Sequence, residues 1–176
     1  IEEIDIDSER KKTPDAEITS RGRTARRGLL GALQWLTTQT MPQVLVEVTL
    51  LKSEECQATL TTLQNANKLL RRITRVGGTV LRVRKISEEL CLVIWSDASW
   101  ANRIDGSSTG GGILGICGVS FLKGIRGPVT LSSWASKRLK RVVRSSLGAE
   151  VQGINDIADE GYLTGLSMWA FSGGQF

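Results

Sequence analysis

LVIWSDASWAN, residues 92–102, joins a short apolar run to a carboxylate and then to small polar residues. An apolar run of this length, bounded by a polar turn, is typical of a β-strand buried on both faces, because a helix needs a longer stretch. Asp97 then stands at the tip of the strand. An aspartate in that position is either a turn-forming residue or a functional group, and the pattern leaves both interpretations open.

The composition predicts a soluble, globular chain of about one domain. It has 176 residues, of which 40% are hydrophobic and 23% charged, and its apolar runs are shorter than the ~18 residues that span a bilayer. No secretory segment opens the sequence, so a reducing compartment is expected. The three cysteines are far apart among apolar neighbours, which favours buried side chains over a disulfide framework or a thiolate zinc site.

The absence of histidine narrows the possible chemistry. With no imidazole in the chain, a Ser-His dyad and a His-ligated metal are excluded. Acid–base catalysis would then require carboxylates, lysine, tyrosine or metal-bound water.

The net charge of +5 is unevenly spread, since acids dominate residues 1–20 and bases dominate residues 21–85. The basic clusters of the middle segment either contact phosphates or form solvated helix faces.

Changes of pattern divide the chain into three segments. Residues 1–22 are acidic and contain Pro14, which predicts a flexible arm. Residues 23–76 read as a helical segment, with one helix from Thr24 to before Pro42 and a second over about residues 54–74. Residues 77–176 follow the Gly77-Gly78 pair and form the third segment, in which period-two alternation predicts strands.

Four strands are predicted in this third segment. They fall near residues 79–85, 90–97, 110–118 and 129–135, with a short piece at 119–123 completing a hairpin. A final helix should begin at Ser145 or Ser146, either of which can serve as its N-cap. On its helical wheel Glu150 falls at the edge of an apolar stripe, while three other acids point away from it. The stripe comprises Leu147, Val151, Ile154, Ala158, Tyr162 and Gly165, and the other acids are Asp156, Asp159 and Glu160.

Asp97 and Glu150 form the candidate site. If the last helix packs across the strand that carries Asp97, the two carboxylates could share a Mg²⁺ or Mn²⁺ ion, since such hard cations prefer oxygen ligands. The alternative is structural, with Asp97 capping its turn and Glu150 pairing with an arginine of the basic run 137–144. Residue spacing alone favours this structural alternative.

Four sequence blocks resemble the ribonuclease H domain of copia-type LTR retrotransposon Pol polyproteins. The blocks read WSDASWAN, SSTGGGILGI, LSSWASKR and VVRSSLGAE, and their order and spacing match that family. Upstream, GLLGALQWLTTQT and NANKLLRRI resemble the segment that connects reverse transcriptase to ribonuclease H. The resemblance covers most of residues 28–162.

The resemblance implies a ribonuclease H-like fold, a mixed α+β (or α/β) sheet preceded by a small helical segment. It also implies that Asp97 and Glu150 are catalytic metal ligands that help to hold two Mg²⁺ (or Mn²⁺) ions, which hydrolyse the RNA strand of an RNA–DNA hybrid. Ser99 and Gly148 stand where the family has acids, and no third catalytic acid follows Glu150. The expectation is therefore an incomplete domain that lacks its parallel edge strands, a fragment with weak or absent activity. There are two alternatives. One is a non-catalytic module that binds nucleic acid or connects domains, and the other is degraded retroelement sequence.

A basic run precedes the last helix and supplies the candidate nucleic-acid contacts. It contains Lys137, Arg138, Lys140, Arg141 and Arg144, and Trp100 is a candidate stacking residue beside Asp97. The alternative for the run is an exposed loop that only aids solubility. The expected partners are an RNA–DNA hybrid and the reverse transcriptase and integrase parts of the polyprotein, with no membrane. The family implies a cytoplasmic location, in virus-like particles, with the nucleus as the alternative.

Overall fold

The computed structural model describes residues 1–78 and 80–173, apart from the side chain of Arg10. The described chain is a mixed α+β protein with four α-helices and one three-stranded antiparallel sheet. It divides into two compact units, Ile1–Val80 with Arg103–Asp105, and Leu81–Asn102 with Gly106–Phe176. No helix in the described residues has the length and hydropathy needed to span a membrane.

The first unit is a bundle of three helices: α1 (Ser20–Gln39), α2 (Leu45–Ser53) and α3 (Leu60–Val76). Thr19 caps α1, since its side chain accepts the Gly22 N–H at 3.1 Å. Leucines at three- and four-residue spacing give α1 its buried face, which packs with residues of α2 and α3. This core contains Leu29, Leu30, Leu33, Val48, Ala66, Leu69, Leu70 and Ile73.

The predicted helix over residues 54–74 is wrong at its start. Residues Glu54–Gln57 form a 3-10 turn, and Ala58 is extended and buried, with its carbonyl accepting the Ile18 N–H at 3.3 Å. This extended residue separates α2, which the sequence analysis did not assign, from α3. The segment predicted as an acidic arm, residues 1–22, includes the first residues of α1. It also contacts α3, because the backbone of Ile4 exchanges two hydrogen bonds with the Asn67 side chain, at 2.9 and 2.7 Å.

The second unit contains the sheet and the last helix. Strands β1 (Leu90–Ser99), β2 (Thr109–Gly118) and β3 (Thr130–Arg138) pair antiparallel in that order, with an irregularity between Leu114 and Gly115. Helix α4 (Ser146–Phe171) packs across β1 and β2. The three strands lie where the alternation and turn signals predict them, to within three residues at each end.

Two predicted strand segments are not strands. Residues 80–86 contain neither helix nor strand, and Thr79 lies outside the described residues. Even- and odd-numbered side chains of this stretch are both exposed, as Val80, Leu81 and Val83 show. The alternation therefore buries neither face, and nothing favours pairing of this stretch with a neighbouring strand. Residues Val119–Lys123 form a 3-10 turn that ends at Gly124, whose φ of 76° suits glycine.

Helix α4 begins as predicted but buries a different face. Ser145 is the N-cap, and its hydroxyl accepts the Gly148 N–H at 3.1 Å. The buried residues are Ala149, Gly153, Ile157 and Gly161, whereas the apolar stripe of the sequence analysis is largely exposed, with Leu147 at 71%, Ile154 at 55% and Tyr162 at 69%. The prediction failed because it weighted large side chains, while the helix meets the sheet through small ones.

Glycines allow this close approach of α4 to the sheet. A Cβ atom on Gly112 would lie 2.5 Å from Cγ1 of Ile157, and one on Gly161 would lie 2.5 Å from Cδ1 of Ile94. The helix and the sheet can therefore approach this closely only because glycine has no side chain at these positions. Gly110, Gly111 and Gly112 follow the first residue of β2, and glycines inside a strand are typical of a close approach by another element.

Candidate nucleic-acid and carboxylate site

Asp97 lies near the carboxyl end of β1 and is exposed. Along β1, Leu92, Ile94, Ser96 and Ala98 contact glycines of α4. Because side chains alternate between the faces of a strand, Asp97 projects from the face that α4 does not cover. Its neighbour in the register is Gly111 of β2, which leaves the space beside the carboxylate open.

Glu150 is the fifth residue of α4, at the start of its second turn, and is half-buried. Three residues later, Gly153 packs on the end of β1, since a Cβ atom there would lie 3.3 Å from the Ser96 hydroxyl and 3.4 Å from Cβ of Ala98. Residues three apart lie on one side of a helix. Glu150 is therefore at the same end of the sheet as Asp97. It belongs to the helix that covers one face of the sheet, whereas Asp97 projects from the other face.

This arrangement limits how a cation could be held. Among the described residues β1 pairs only with β2, so its other edge is open, and an ion bound by both carboxylates would have to lie at that edge. Carboxylate oxygens suit Mg²⁺ or Mn²⁺. However, no group of three or more candidate ligands is present in the described part of the chain, and two carboxylates do not complete a two-metal site. The donor set fits one loosely held ion at most.

The basic run reaches the same end of the sheet. Arg138, the last residue of β3, is in register with Thr109 of β2, which pairs with Ser99 of β1. The next residue, Leu139, is buried at 2% exposure, and its N–H donates to the Ser108 carbonyl at 2.9 Å. The predicted nucleic-acid contacts around it are all exposed: Lys137, Arg138, Lys140, Arg141 and Arg144.

Two further contacts fix the course of the run after Leu139. With its amide oxygen turned toward the run, Gln152 of α4 accepts the N–H groups of Lys140 and Arg141 at 3.2 and 3.1 Å. Trp100, just beyond β1, donates its indole N–H to the Val143 carbonyl at 3.1 Å. Trp100 itself stays half-exposed, at 51%. An anchored backbone with outward basic side chains is a surface that can hold phosphates at fixed positions.

Two acids of α4 do not point away from the sheet, although the helical wheel predicts that they do. Asp156 and Glu160, predicted to point away, face β3: Asp156 lies 3.6 Å from Nζ of Lys137, and Glu160 accepts a short hydrogen bond from the Ser133 hydroxyl. The ion pair neutralises part of the charge of Lys137. Gly153, Gly161 and Gly165 were the available signal, because glycines separated by multiples of four residues lie on one side of a helix and mark a face that approaches another element closely.

Comparison with known proteins adds no assignment. No protein-family model, curated protein or solved structure matches the chain. Any function must therefore be argued from the residues and their geometry.

Proposed function

We propose that the second unit is a ribonuclease H-like domain of a copia-type retrotransposon Pol polyprotein and that it acts on RNA–DNA hybrids. The proposal rests on the sequence blocks together with the order β1-β2-β3-α4, in which Asp97 lies near the end of the first strand and Glu150 lies in the second turn of the helix. In this proposal the first unit is the reverse transcriptase connection, and the polyprotein's reverse transcriptase and integrase are its partners.

The observation that carries the proposal is the hydrogen bond between Trp100 and Val143. It joins the segment after Asp97 to the basic run across 43 residues of sequence. An exposed basic run therefore lies at the same end of the sheet as an exposed carboxylate, and this pairing supports the proposal because a nuclease needs both groups. The open surface also suits a long, stiff duplex better than a small molecule.

Each group then has a defined role. Lys140, Arg141 and Arg144 contact phosphates and so contribute affinity that depends on salt but not on sequence. Trp100 stacks on a base or sugar at the groove. Asp97 and Glu150 orient the substrate backbone and are the ligands for a divalent cation, which would supply the activated water when bound. Because the donor set is incomplete, hydrolysis by this chain alone is expected to be weak or absent.

A second function, hybrid binding without cleavage, is favoured by that same incomplete donor set. Binding and cleavage can be measured separately. Fluorescence anisotropy with a labelled RNA–DNA hybrid measures binding, and a fluorogenic hybrid in Mg²⁺ or Mn²⁺ measures cleavage. The two functions differ only in the second result.

For binding, the double variant Lys140→Gln/Arg141→Gln should lower affinity and reduce the salt slope by about 1–2, since each lost phosphate contact removes about 0.9 from it. The double variant Lys123→Gln/Arg126→Gln removes the same number of charges and is the matched control. Lys123 and Arg126 are exposed between β2 and β3, at the opposite end of the sheet, so this variant should leave both quantities unchanged. Equal losses in the two proteins would show that only net charge matters and would remove the assigned surface.

For cleavage, Asp97→Asn should abolish whatever metal-dependent signal the chain gives. Asp159→Asn is the control, because Asp159 is an exposed acid of α4 away from the sheet. Hybrid binding with cleavage that is absent, or equal in all three proteins, would leave the binding module as the function. Loss of signal confined to Asp97→Asn would establish the nuclease.

A further inference from the structure

Cys91 and Cys117 face each other across the first two strands of the sheet. They are direct partners in the β1–β2 register, and their sulfur atoms lie 3.3 Å apart. Like Asp97, both have odd residue numbers. They therefore project from the face of the sheet opposite α4, which contacts the even-numbered residues of these strands. The sequence analysis treated them as separate buried residues, because 25 residues lie between them.

The backbone spacing at this pair matches that of a disulfide. The Val119 N–H donates to the Glu89 carbonyl at 2.9 Å, which makes residues 89 and 119 a hydrogen-bonded pair. Because the pattern repeats every two residues, Cys91 and Cys117 form a pair of the same kind, with a typical Cα separation of about 5.5 Å. Disulfides most often join Cα atoms about 5.5–6 Å apart, with sulfurs about 2.05 Å apart. Each sulfur therefore needs to move by only about 0.6 Å.

We propose that Cys91 and Cys117 are a modification site that a small-molecule disulfide, such as oxidised glutathione, converts to a reversible intramolecular disulfide. In the first step one cysteine thiolate attacks a sulfur of oxidised glutathione, forming a mixed disulfide and releasing glutathione thiolate. In the second step the other cysteine attacks the protein sulfur of that mixed disulfide and releases the second glutathione. The two protein thiols lose two electrons and two protons, and one glutathione disulfide becomes two glutathione thiols.

The surroundings fix the order of these steps. Cys91 is half-buried, whereas Cys117 is fully buried, so an oxidant reaches Cys91 first. Burial raises the pKa of the Cys117 thiol to about 11, and its hydrogen bond to Cys91, the charge of Cys91 and the carboxylate of Glu88 act in the same direction. Cys117 is therefore mostly protonated at neutral pH. The closing step should accelerate as the pH rises toward that pKa, because the thiolate is the attacking species.

The disulfide would tie β1 to β2 at the end of the sheet away from Asp97. Since β1 has only one neighbouring strand among the described residues, the cross-link would hold this edge strand in register. Hydrogen exchange of the β1 amides near Cys91 should slow on oxidation and recover on reduction. The site does not depend on hybrid binding, so it can be tested independently of the proposed function.

The test uses the full chain with Cys56→Ser, because Cys56 is exposed and would react on its own. Treatment with oxidised glutathione should give a monomer that has lost two hydrogens, with a peptide linked through Cys91 and Cys117 in a non-reducing digest. Cys91→Ser and Cys117→Ser in the same background are the matched controls. Cys91→Ser should stay largely unmodified, and Cys117→Ser should retain one bound glutathione.

Circular dichroism first checks that each protein is folded, and the parent Cys56→Ser protein decides the outcome. A persistent glutathione adduct on that protein, a disulfide between two chains, or no reaction under conditions in which Cys56 of the unsubstituted chain is modified would each overturn the proposal. A linked peptide whose yield rises with pH would support it.

Discussion

Arg26 and Arg27 are adjacent in α1 and bind the same carboxylate in different surroundings. Arg26 is fully buried, and its guanidinium donates to Glu55 at 2.6 Å and to the Leu51 carbonyl. Arg27 is mostly exposed, at 65%, and contacts Glu55 at 2.7 Å. The two substitutions should differ in their cost, because the hydrogen bonds of Arg26 are shielded from water while those of Arg27 are not. Glu55 keeps one arginine partner in either variant.

Arg26→Ala should therefore reduce the free energy of unfolding by about 3–5 kcal/mol, since it removes two buried charge-assisted hydrogen bonds that contribute about 1.5–3 kcal/mol each. Arg27→Ala should reduce it by about 1 kcal/mol or less, since solvent screens an exposed pair. Urea unfolding of both variants checks this difference. Similar losses would mean that the burial of Arg26 contributes little to the stability of the first unit.

Glu88 provides a pH-dependent contact in the second unit. The hydroxyl and the backbone N–H of Ser120 donate to its carboxylate at 2.6 and 3.0 Å and lower its pKa below the ordinary 4.5. A lowered folded-state pKa stabilises the fold above the unfolded pKa, and that stability is lost as the pH falls through the folded value. Glu88→Gln should thus unfold more easily than the parent at pH 7, and the difference should shrink below pH 4.5.

The control for Glu88 is Ser120→Ala, which removes one donor to the carboxylate. It should reproduce part of the effect at pH 7 and add nothing in the Glu88→Gln background. Chemical unfolding from pH 3 to 7 gives both comparisons. A stability difference that stays constant across this range would show that the carboxylate's charge is not what stabilises the turn.

At the scale of elements, the sequence located the strands better than it located their packing. β1, β2 and β3 could be predicted because each combines alternation or an apolar run with glycine or polar boundaries. Residues 80–86 have the same alternation but no partner strand, and pairing is not encoded locally. For α4, the serine N-cap predicted the start of the helix correctly. The buried face was predicted wrongly, because Gly153 and Gly161 carry no hydrophobic signal.

The candidate site was predictable only in part, for a related reason. Asp97 at a strand end and the basic run before α4 could be read from position in the sequence. That both lie at one end of the sheet depends on the β1–β2–β3 register, in which Ser99, Thr109 and Arg138 align. The side from which Asp97 projects follows from which parity of β1 meets α4, and this is decided by packing.

Two isoleucines of α4 test which face is buried. Ile157 is 4% exposed and packs on Gly112, whereas Ile154 is 55% exposed. Ile157→Ala should cost about 2–5 kcal/mol of unfolding free energy through the cavity it leaves. Ile154→Ala should change it by no more than about 0.5 kcal/mol. The reverse ranking would restore the face that the helical wheel predicts.

At the scale of the whole molecule, buried apolar side chains are unevenly divided between the two units. The core clusters of the first unit draw only on residues 4–73. The second unit buries far fewer large apolar side chains, namely Leu114, Leu139 and Ile157 with Cys117 and Ala149, and leaves much of α4 exposed. Each unit is expected to unfold cooperatively by itself. The second unit buries fewer large apolar side chains and should unfold at the lower temperature.

Calorimetry of the full chain should accordingly show two transitions, the lower one belonging to the second unit. Ile157→Ala should lower the midpoint temperature of the first transition only. Arg26→Ala should lower that of the second transition only, because each substitution lies within one unit. Hydrogen exchange assigns the transitions, with amides of β2 opening before amides of α3. If either substitution shifted both transitions together, the two units would be energetically coupled. Unfolding would then have to be described as one event spanning the whole chain.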